Sequence, residues 1–322
     1  MAKIRRLFKI TVRVTGQCNR GCPDCYDDAR MRKFPKEFSA TQESALISEV
    51  ESLVLHRVKV LVHITGGGEP LLYARLARLI TRLLEAGTEV TFTTSGCTGF
   101  EKENLTDKVN LSKLSEIQSP ALGPILSTKV TLPKWQEKFR YSVVKLAQIN
   151  GFVTVRQTDY GDYQLLVHLT GLGFKWVERD AIGPMPPAFY RKDLIVPGED
   201  SRVSFFQNDE GITLQVISHR VIRTGRAKRN DRATAQNVSM CPYLERRARP
   251  YLDIWPNGAI YPCFIIGPEI QELSLGTLGE IGLEEALLGD NFEERKRRFE
   301  KASPGTDCIC DRCRDTGKEH EL

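Results

Sequence analysis

Apolar and polar residues alternate from Lys9 to Thr15, the period-2 pattern of a strand. The chain then enters a polar stretch rich in cysteine. Ser39 with Gln42 reads as a capping box, and behind it Leu46, Ile47, Val50, Leu53 and Val54 recur at helical spacing. A second strand is predicted over Lys59 to Thr65. Leu72, Leu76, Leu79, Ile80, Leu83 and Leu84 mark the next helix, closed by Gly87, and Glu89 to Thr94 is a third strand. Residues 100–123 are polar and give only a short helix with an irregular connection. A fourth strand near Ile125 to Leu132 precedes a helix opened by Pro133, with Phe139, Val143 and Leu146 on one face and Gly151 after its end. Phe152 to Thr158 is a fifth strand, Asp162 caps a helix carrying Leu165, Leu166 and Leu169, and Phe174 to Asp180 is a sixth strand. Strand and helix alternating in this way predict an α/β fold, a partial (β/α)6 barrel with helices outside. In such folds the loops at the C-terminal ends of the strands carry the chemistry.

Residues 181–200 hold four prolines and break the alternation, as a loop across the barrel mouth or a connection would. Arg202 to Gln207 and Ile212 to Ser218, joined by Asn208-Asp209-Glu210-Gly211, read as an antiparallel hairpin. Asn257-Gly258 signals another, between Tyr251 to Trp255 and Ala259 to Tyr261, and Leu283 to Leu288 is an amphipathic helix. Two units are expected: 1–235, the barrel with its Pro-rich loop and first hairpin, and 236–322, a smaller extension.

At 322 residues the chain can bury a large core, and its 41% apolar and 27% charged content is that of an ordinary globular protein. The net charge of +5 comes from basic runs at Arg220 to Arg232, Glu245 to Arg249 and Arg295 to Arg298. These are interleaved with acids, which argues against nucleic acid and for solvated faces. The basic N-terminus lacks the apolar stretch of a signal peptide, and no segment reaches transmembrane length, so a cytoplasmic protein is expected. Nine cysteines in a reducing compartment point to metal rather than to a disulfide framework.

Cys18, Cys22 and Cys25 form a C-x3-C-x2-C run after the first strand. Three thiolates on one loop can hold three irons of a four-iron cluster and leave the fourth open. A zinc knuckle is the plain alternative, but structural zinc takes four ligands and no fourth Cys or His lies nearby. The second strand ends in Gly66-Gly67-Gly68-Glu69-Pro70. Together these motifs resemble the radical S-adenosylmethionine (SAM) superfamily. The resemblance implies a 4Fe-4S cluster whose open iron binds SAM, and reductive cleavage of SAM to a 5'-deoxyadenosyl radical that abstracts hydrogen from a substrate. It implies that Gly67, Gly68, Glu69 and Pro70 receive the methionine amino group, that Thr131 touches the ribose and that Arg156 pairs with the SAM carboxylate. Thr131 and Arg156 read equally well as barrel-lining residues. The family's aromatic residue before the third cysteine is absent: Asp24 stands there and Tyr26 follows. Cys97, after Thr93-Thr94-Ser95-Gly96, is either a small buried thiol or a hydrogen donor to a substrate radical. His63 is expected to be a core or rim residue, and Arg223-Thr224-Gly225-Arg226-Ala227 resembles the Gly-Arg-Ala element that follows the barrel in this family.

A second cysteine group comprises Cys241, Cys263, Cys308, Cys310 and Cys313. With the Gly258 hairpin and Leu275-Gly276-Thr277-Leu278, it resembles the SPASM and twitch extensions that bind auxiliary iron-sulfur clusters. A full SPASM extension uses about seven cysteines, whereas the one-cluster twitch form needs four. Cys241, Cys263, Cys310 and Cys313 are the expected ligands, with Cys308 a spare or alternative. A zinc site fits the spacing equally well.

The resemblance thus implies an enzyme with two 4Fe-4S clusters and SAM, acting on a peptide or a small natural-product intermediate with a flavodoxin or ferredoxin-type electron donor. The auxiliary cluster would assist oxidation or substrate binding. Alternatives are a peptide epimerase using Cys97 and an inactive iron-sulfur or zinc-binding regulator. Strand formation beginning near Lys9 leaves no room for a fused leader-peptide domain, which tilts the expectation toward a small substrate or a peptide delivered by another protein. The Pro-rich loop and basic Arg220 to Arg232 segment favour an acidic peptide. Molybdopterin-type chemistry fits poorly, because the C-terminal cysteine spacing and the KEHEL ending do not match that family.

Overall fold

The computed structural model describes residues 7–18, 37–65, 67–96, 105–128, 134–157, 169–186, 189, 201–219, 251–262, 274–290, 292–294 and 297. Five strands follow one another in parallel: β1 (Leu7–Arg13), β2 (Lys59–Thr65), β3 (Glu89–Thr94), β4 (Leu122–Thr128) and β5 (Phe152–Gln157). Between them run α1 (Ala40–Leu55), α2 (Leu76–Glu85), α3 (Leu105–Ser115) and α4 (Lys134–Ala147). The capping box of α1 forms as the sequence predicts. The Gln42 amide donates to the Ser39 hydroxyl at 3.2 Å, and the Ser39 amide donates to Gln42 Oε1 at 2.7 Å. Gly87, at φ +82°, turns the chain after α2, where a residue with a Cβ would be strained.

Helix α3 is the short helix expected within the polar stretch 100–123. Asp107 and Asn110 are buried on it beside Leu111 and Leu114. Asn110 Nδ2 donates to the carbonyls of Leu71 and Tyr73, at 2.7 and 2.9 Å. A polar side chain on the inner face is therefore bonded to the turn before α2.

Alternation along the strands separates two faces. Ile10, Val12, Val62, Ile64, Val90, Phe92, Leu126, Val153 and Val155 join the helices' Leu46, Ile47, Leu79 and Leu146 in one apolar core. The other face carries Thr11, Arg13, His63, Thr91, Thr154 and Gln215, polar yet buried.

One strand is placed differently from the sequence reading. After β5 come β6 (Lys175–Val177), β7 (Ser201–Gln207) and β8 (Thr213–His219). The sixth parallel position, beside β5, belongs to β8 and not to the segment 174–180, while β7 pairs antiparallel with β8 and β6 antiparallel with β7 at the sheet edge. The reason is burial. Leu214, Val216 and Ile217 suit a strand covered on both faces, whereas β6 is three residues long with Trp176 61% exposed.

On the other side of β1 lies β9 (Tyr251–Ile254), parallel to it, followed by β10 (Ala259–Tyr261) and β11 (Gly276–Thr277), both antiparallel to their neighbours, and α5 (Leu283–Leu288). The Asn257-Gly258 hairpin is formed, with Gly258 at φ +83°. Leu283, Ala286 and Leu287 enter the same core as strands β1 to β5, and the Leu283 amide donates to Glu49 of α1 at 2.9 Å. The strands among the described residues all belong to one 11-stranded sheet. The Asp162 helix start, most of the Pro-rich loop, Arg223 to Ala227, and Cys241, Cys263, Cys308, Cys310 and Cys313 lie outside the described residues.

Candidate cofactor site at the ends of the first strands

The turn after β2 is built against the chain leaving β1. Gly67 sits at φ +106°, and a Cβ there would meet the Thr15 carbonyl oxygen at 3.2 Å. A Cβ on Gly68 would stand 2.0 Å from the Gln17 carbonyl oxygen, too close for any side chain. The contact is fastened by the Glu69 amide, which donates to that same oxygen at 2.8 Å. Cys18, half-buried, follows directly.

The far end of the cysteine loop returns to the same place. Thr15 and Glu37 form an antiparallel bridge, and the Phe38 amide donates to the Val14 carbonyl at 2.8 Å. The loop therefore leaves and re-enters the fold through one neck, beside the glycine turn. Cys22 and Cys25 lie outside the described residues.

Glu69 is buried, and each of its carboxylate oxygens accepts two hydrogen bonds. One takes the Leu71 amide at 3.2 Å and the Thr94 hydroxyl at 2.6 Å; the other takes the Ser95 amide at 2.9 Å and the Ser95 hydroxyl. The carboxylate thus ties the β2 turn to the end of β3. Pro70 begins a short 3-10 turn, Pro70–Leu72, buried with it. Gly96, at φ +82°, has its amide bonded to the Thr94 hydroxyl at 3.0 Å; Cys97, next in the chain, lies outside the described residues, as does Thr131.

Arg156, near the end of β5 and opposite Ser127 of β4, shares the polar face with His63. His63 Nδ1 lies 2.7 Å from the Thr91 hydroxyl and Nε2 3.3 Å from that of Thr93. Burial first, then the charges of Lys9 and Arg156, push the His63 pKa well below its ordinary value. It is a neutral, buried residue of the polar face, as the sequence reading has it.

Two groups were not foreseen from sequence. Arg13 and Asp253, both fully buried, pair at 2.9 Å, and the guanidinium lies 4.0 Å from the Trp255 ring centre. Arg13 also lies beneath Gly67, whose Cβ would stand 3.9 Å from its side chain. The second group is Glu43, Tyr73 and Arg75. Arg75 Nε donates to Glu43 at 2.7 Å and Arg75 Nη2 to the Phe38 carbonyl at 2.5 Å; the Tyr73 hydroxyl lies against both the Glu43 carboxylate and, at 2.8 Å, that carbonyl. No signal in the sequence pairs residues so far apart.

The site's chemistry fits the cofactors that the motifs imply. Three thiol side chains occupy one loop held at both ends, and the adjoining turn at Gly67 and Gly68 lacks side chains because it packs on the backbone of Thr15 and Gln17 at the start of that loop. Among the described residues no helix is long and apolar enough to cross a membrane.

Comparison by sequence with protein-family models and with curated proteins finds no match. Comparison by structure finds several. BtrN in complex with AdoMet and 2-DOIA aligns with a TM-score of 0.51 at 18% identity, over 90% of this chain and 86% of that one. SuiB of Streptococcus suis, bound to the precursor peptide SuiA, aligns with a TM-score of 0.53 at 12% identity, over 96% and 71%. The protein anSMEcpe with bound AdoMet aligns with a TM-score of 0.52 at 12% identity, over 98% and 89%. The present chain, with its parallel strands and the helices between them, shares the α/β fold of these three structures.

Proposed function

We propose that this protein is a radical SAM enzyme in which Cys18, Cys22 and Cys25 hold a 4Fe-4S cluster and Gly67, Gly68 and Glu69 shape the SAM site beside it. The carrying observation is the contact between Gly68 and Gln17, which sets a side-chain-free turn against the residue preceding Cys18. When bound, a reduced cluster supplies the electron that splits SAM to methionine and a 5'-deoxyadenosyl radical. The chain's own residues position and shield. Glu69 fixes the turn relative to the end of β3, Gly67 and Gly68 let that turn seat against the start of the cysteine loop, where its backbone would receive the methionine amino group, and Arg156 offers a guanidinium fork to a carboxylate on the same polar face.

The substrate in this reading is a peptide or a small natural-product intermediate. BtrN complexed with 2-DOIA and SuiB complexed with a precursor peptide support both branches. Cys241, Cys263, Cys310 and Cys313 would hold one auxiliary 4Fe-4S cluster that assists oxidation or substrate binding, and a flavodoxin or ferredoxin-type protein would supply electrons. Anaerobic reconstitution followed by reduction with SAM tests the reading. Release of 5'-deoxyadenosine supports it, and a fully loaded, reduced protein that leaves SAM intact refutes it.

A further inference from the structure

The neck of the cysteine loop is gripped from one continuous segment. The Glu69 amide holds the Gln17 carbonyl at the loop's start. Further along the same segment, Arg75 holds the Phe38 carbonyl at the loop's return, with the Tyr73 hydroxyl beside it. Phe38 is held on its other side by the Val14 carbonyl, so both of its backbone polar groups are engaged. Glu43, on α1 and 3% exposed, accepts from Arg75 and Tyr73 and aims both at Phe38. Asn110 then fixes the backbone of Leu71 and Tyr73 from α3.

We propose that Glu43, Tyr73 and Arg75 are a positioning triad that locks the return of the cysteine loop and thereby sets how long the loop retains its cluster. This rests on the reading of Cys18, Cys22 and Cys25 as cluster ligands. Thiolate ligation from a loop is lost when the loop opens, and a loop opens through its weaker end. The start is secured by β1 and the glycine turn; the return, leading into α1, is secured by the Val14 bond and by the triad. Burial and then the hydrogen bond to Glu43 raise the Tyr73 pKa, so its hydroxyl keeps its proton. The hydrogen bond to Glu43 likewise raises the Arg75 pKa, keeping it charged.

The test uses Tyr73→Phe and Arg75→Gln in the full chain, reconstituted anaerobically beside the wild type. The readout is the electron paramagnetic resonance signal of the reduced protein that responds to added SAM, followed during exposure to excess EDTA, with the thermal midpoint of each protein taken by circular dichroism. The triad predicts loss of that signal about tenfold faster in each variant, as removal of one hydrogen bond to the Phe38 carbonyl in either case implies, with at most a small shift of the midpoint. Decay at the wild-type rate in both variants overturns the triad and leaves the cluster reading standing. A wild type that takes up no SAM-responsive cluster overturns the cluster reading and the triad with it. Should Arg75→Gln fail to fold, Tyr73→Phe decides alone.

Discussion

Gly68 and Gln17 meet backbone to backbone: a methyl group on Gly68 would stand 2.0 Å from the Gln17 carbonyl oxygen, and the next amide donates to that oxygen. Neither partner can yield, since both are main chain anchored at strand ends. Gly68→Ala is therefore expected to push the β2 turn off the start of the cysteine loop, costing about 1–3 kcal/mol. Urea denaturation measures that cost, and iron and sulfide per chain after reconstitution should fall in the same variant.

Glu69 acts through its four hydrogen bonds. Glu69→Gln replaces one acceptor oxygen with an N–H group that faces existing donors at Thr94 or Ser95. A loss of about 2 kcal/mol in stability is expected. Isothermal titration should show weaker SAM binding in the reconstituted variant, because the turn is no longer tied to β3.

The buried Arg13–Asp253 pair joins β1 to β9. Removing one partner leaves a charge in a dry site, so Asp253→Ala should cost about 3–5 kcal/mol by chemical denaturation. Adding Arg13→Met to that variant should restore part of the loss, since the stranded charge is then gone.

His63 makes stability depend on pH with a definite sign. Its folded-state pKa lies well below 6.5, so below that value the unfolded chain binds a proton that the folded chain refuses. Its contribution is constant above about pH 6.5 and is lost as pH falls beneath it. The urea midpoint of the wild type should drop between about pH 6.5 and 5, and His63→Gln should drop less over the same interval.

Local features were legible in the sequence, and distant pairings were hidden. The α1 capping box, the limits of β2 and β3, and the Gly258 hairpin depend on residues a few positions apart, and each forms as expected. Helix α3 was expected as a short helix within 100–123, but its bounds were not legible because Asp107 and Asn110 are buried polar residues, which a hydrophobic pattern counts as surface. The exchange of β8 for the segment 174–180 beside β5 was hidden for a different reason. An antiparallel hairpin pattern does not say which of its strands joins a neighbouring sheet. At the site, Gly67, Gly68 and Glu69 were readable as a motif, but the neck that Glu43, Tyr73 and Arg75 close was not. Tyr73 and Arg75 stand 35 and 37 residues from the Phe38 carbonyl they hold, a separation that no local pattern spans.

The central claim is that the loop bearing Cys18 holds a cluster that cleaves SAM. The most direct measurement is 5'-deoxyadenosine released by the anaerobically reconstituted, reduced protein, compared with a Cys18→Ala, Cys22→Ala, Cys25→Ala variant. The account predicts release from the wild type and none from the variant. Equal amounts from both, or none from a wild type whose clusters are intact, would contradict it.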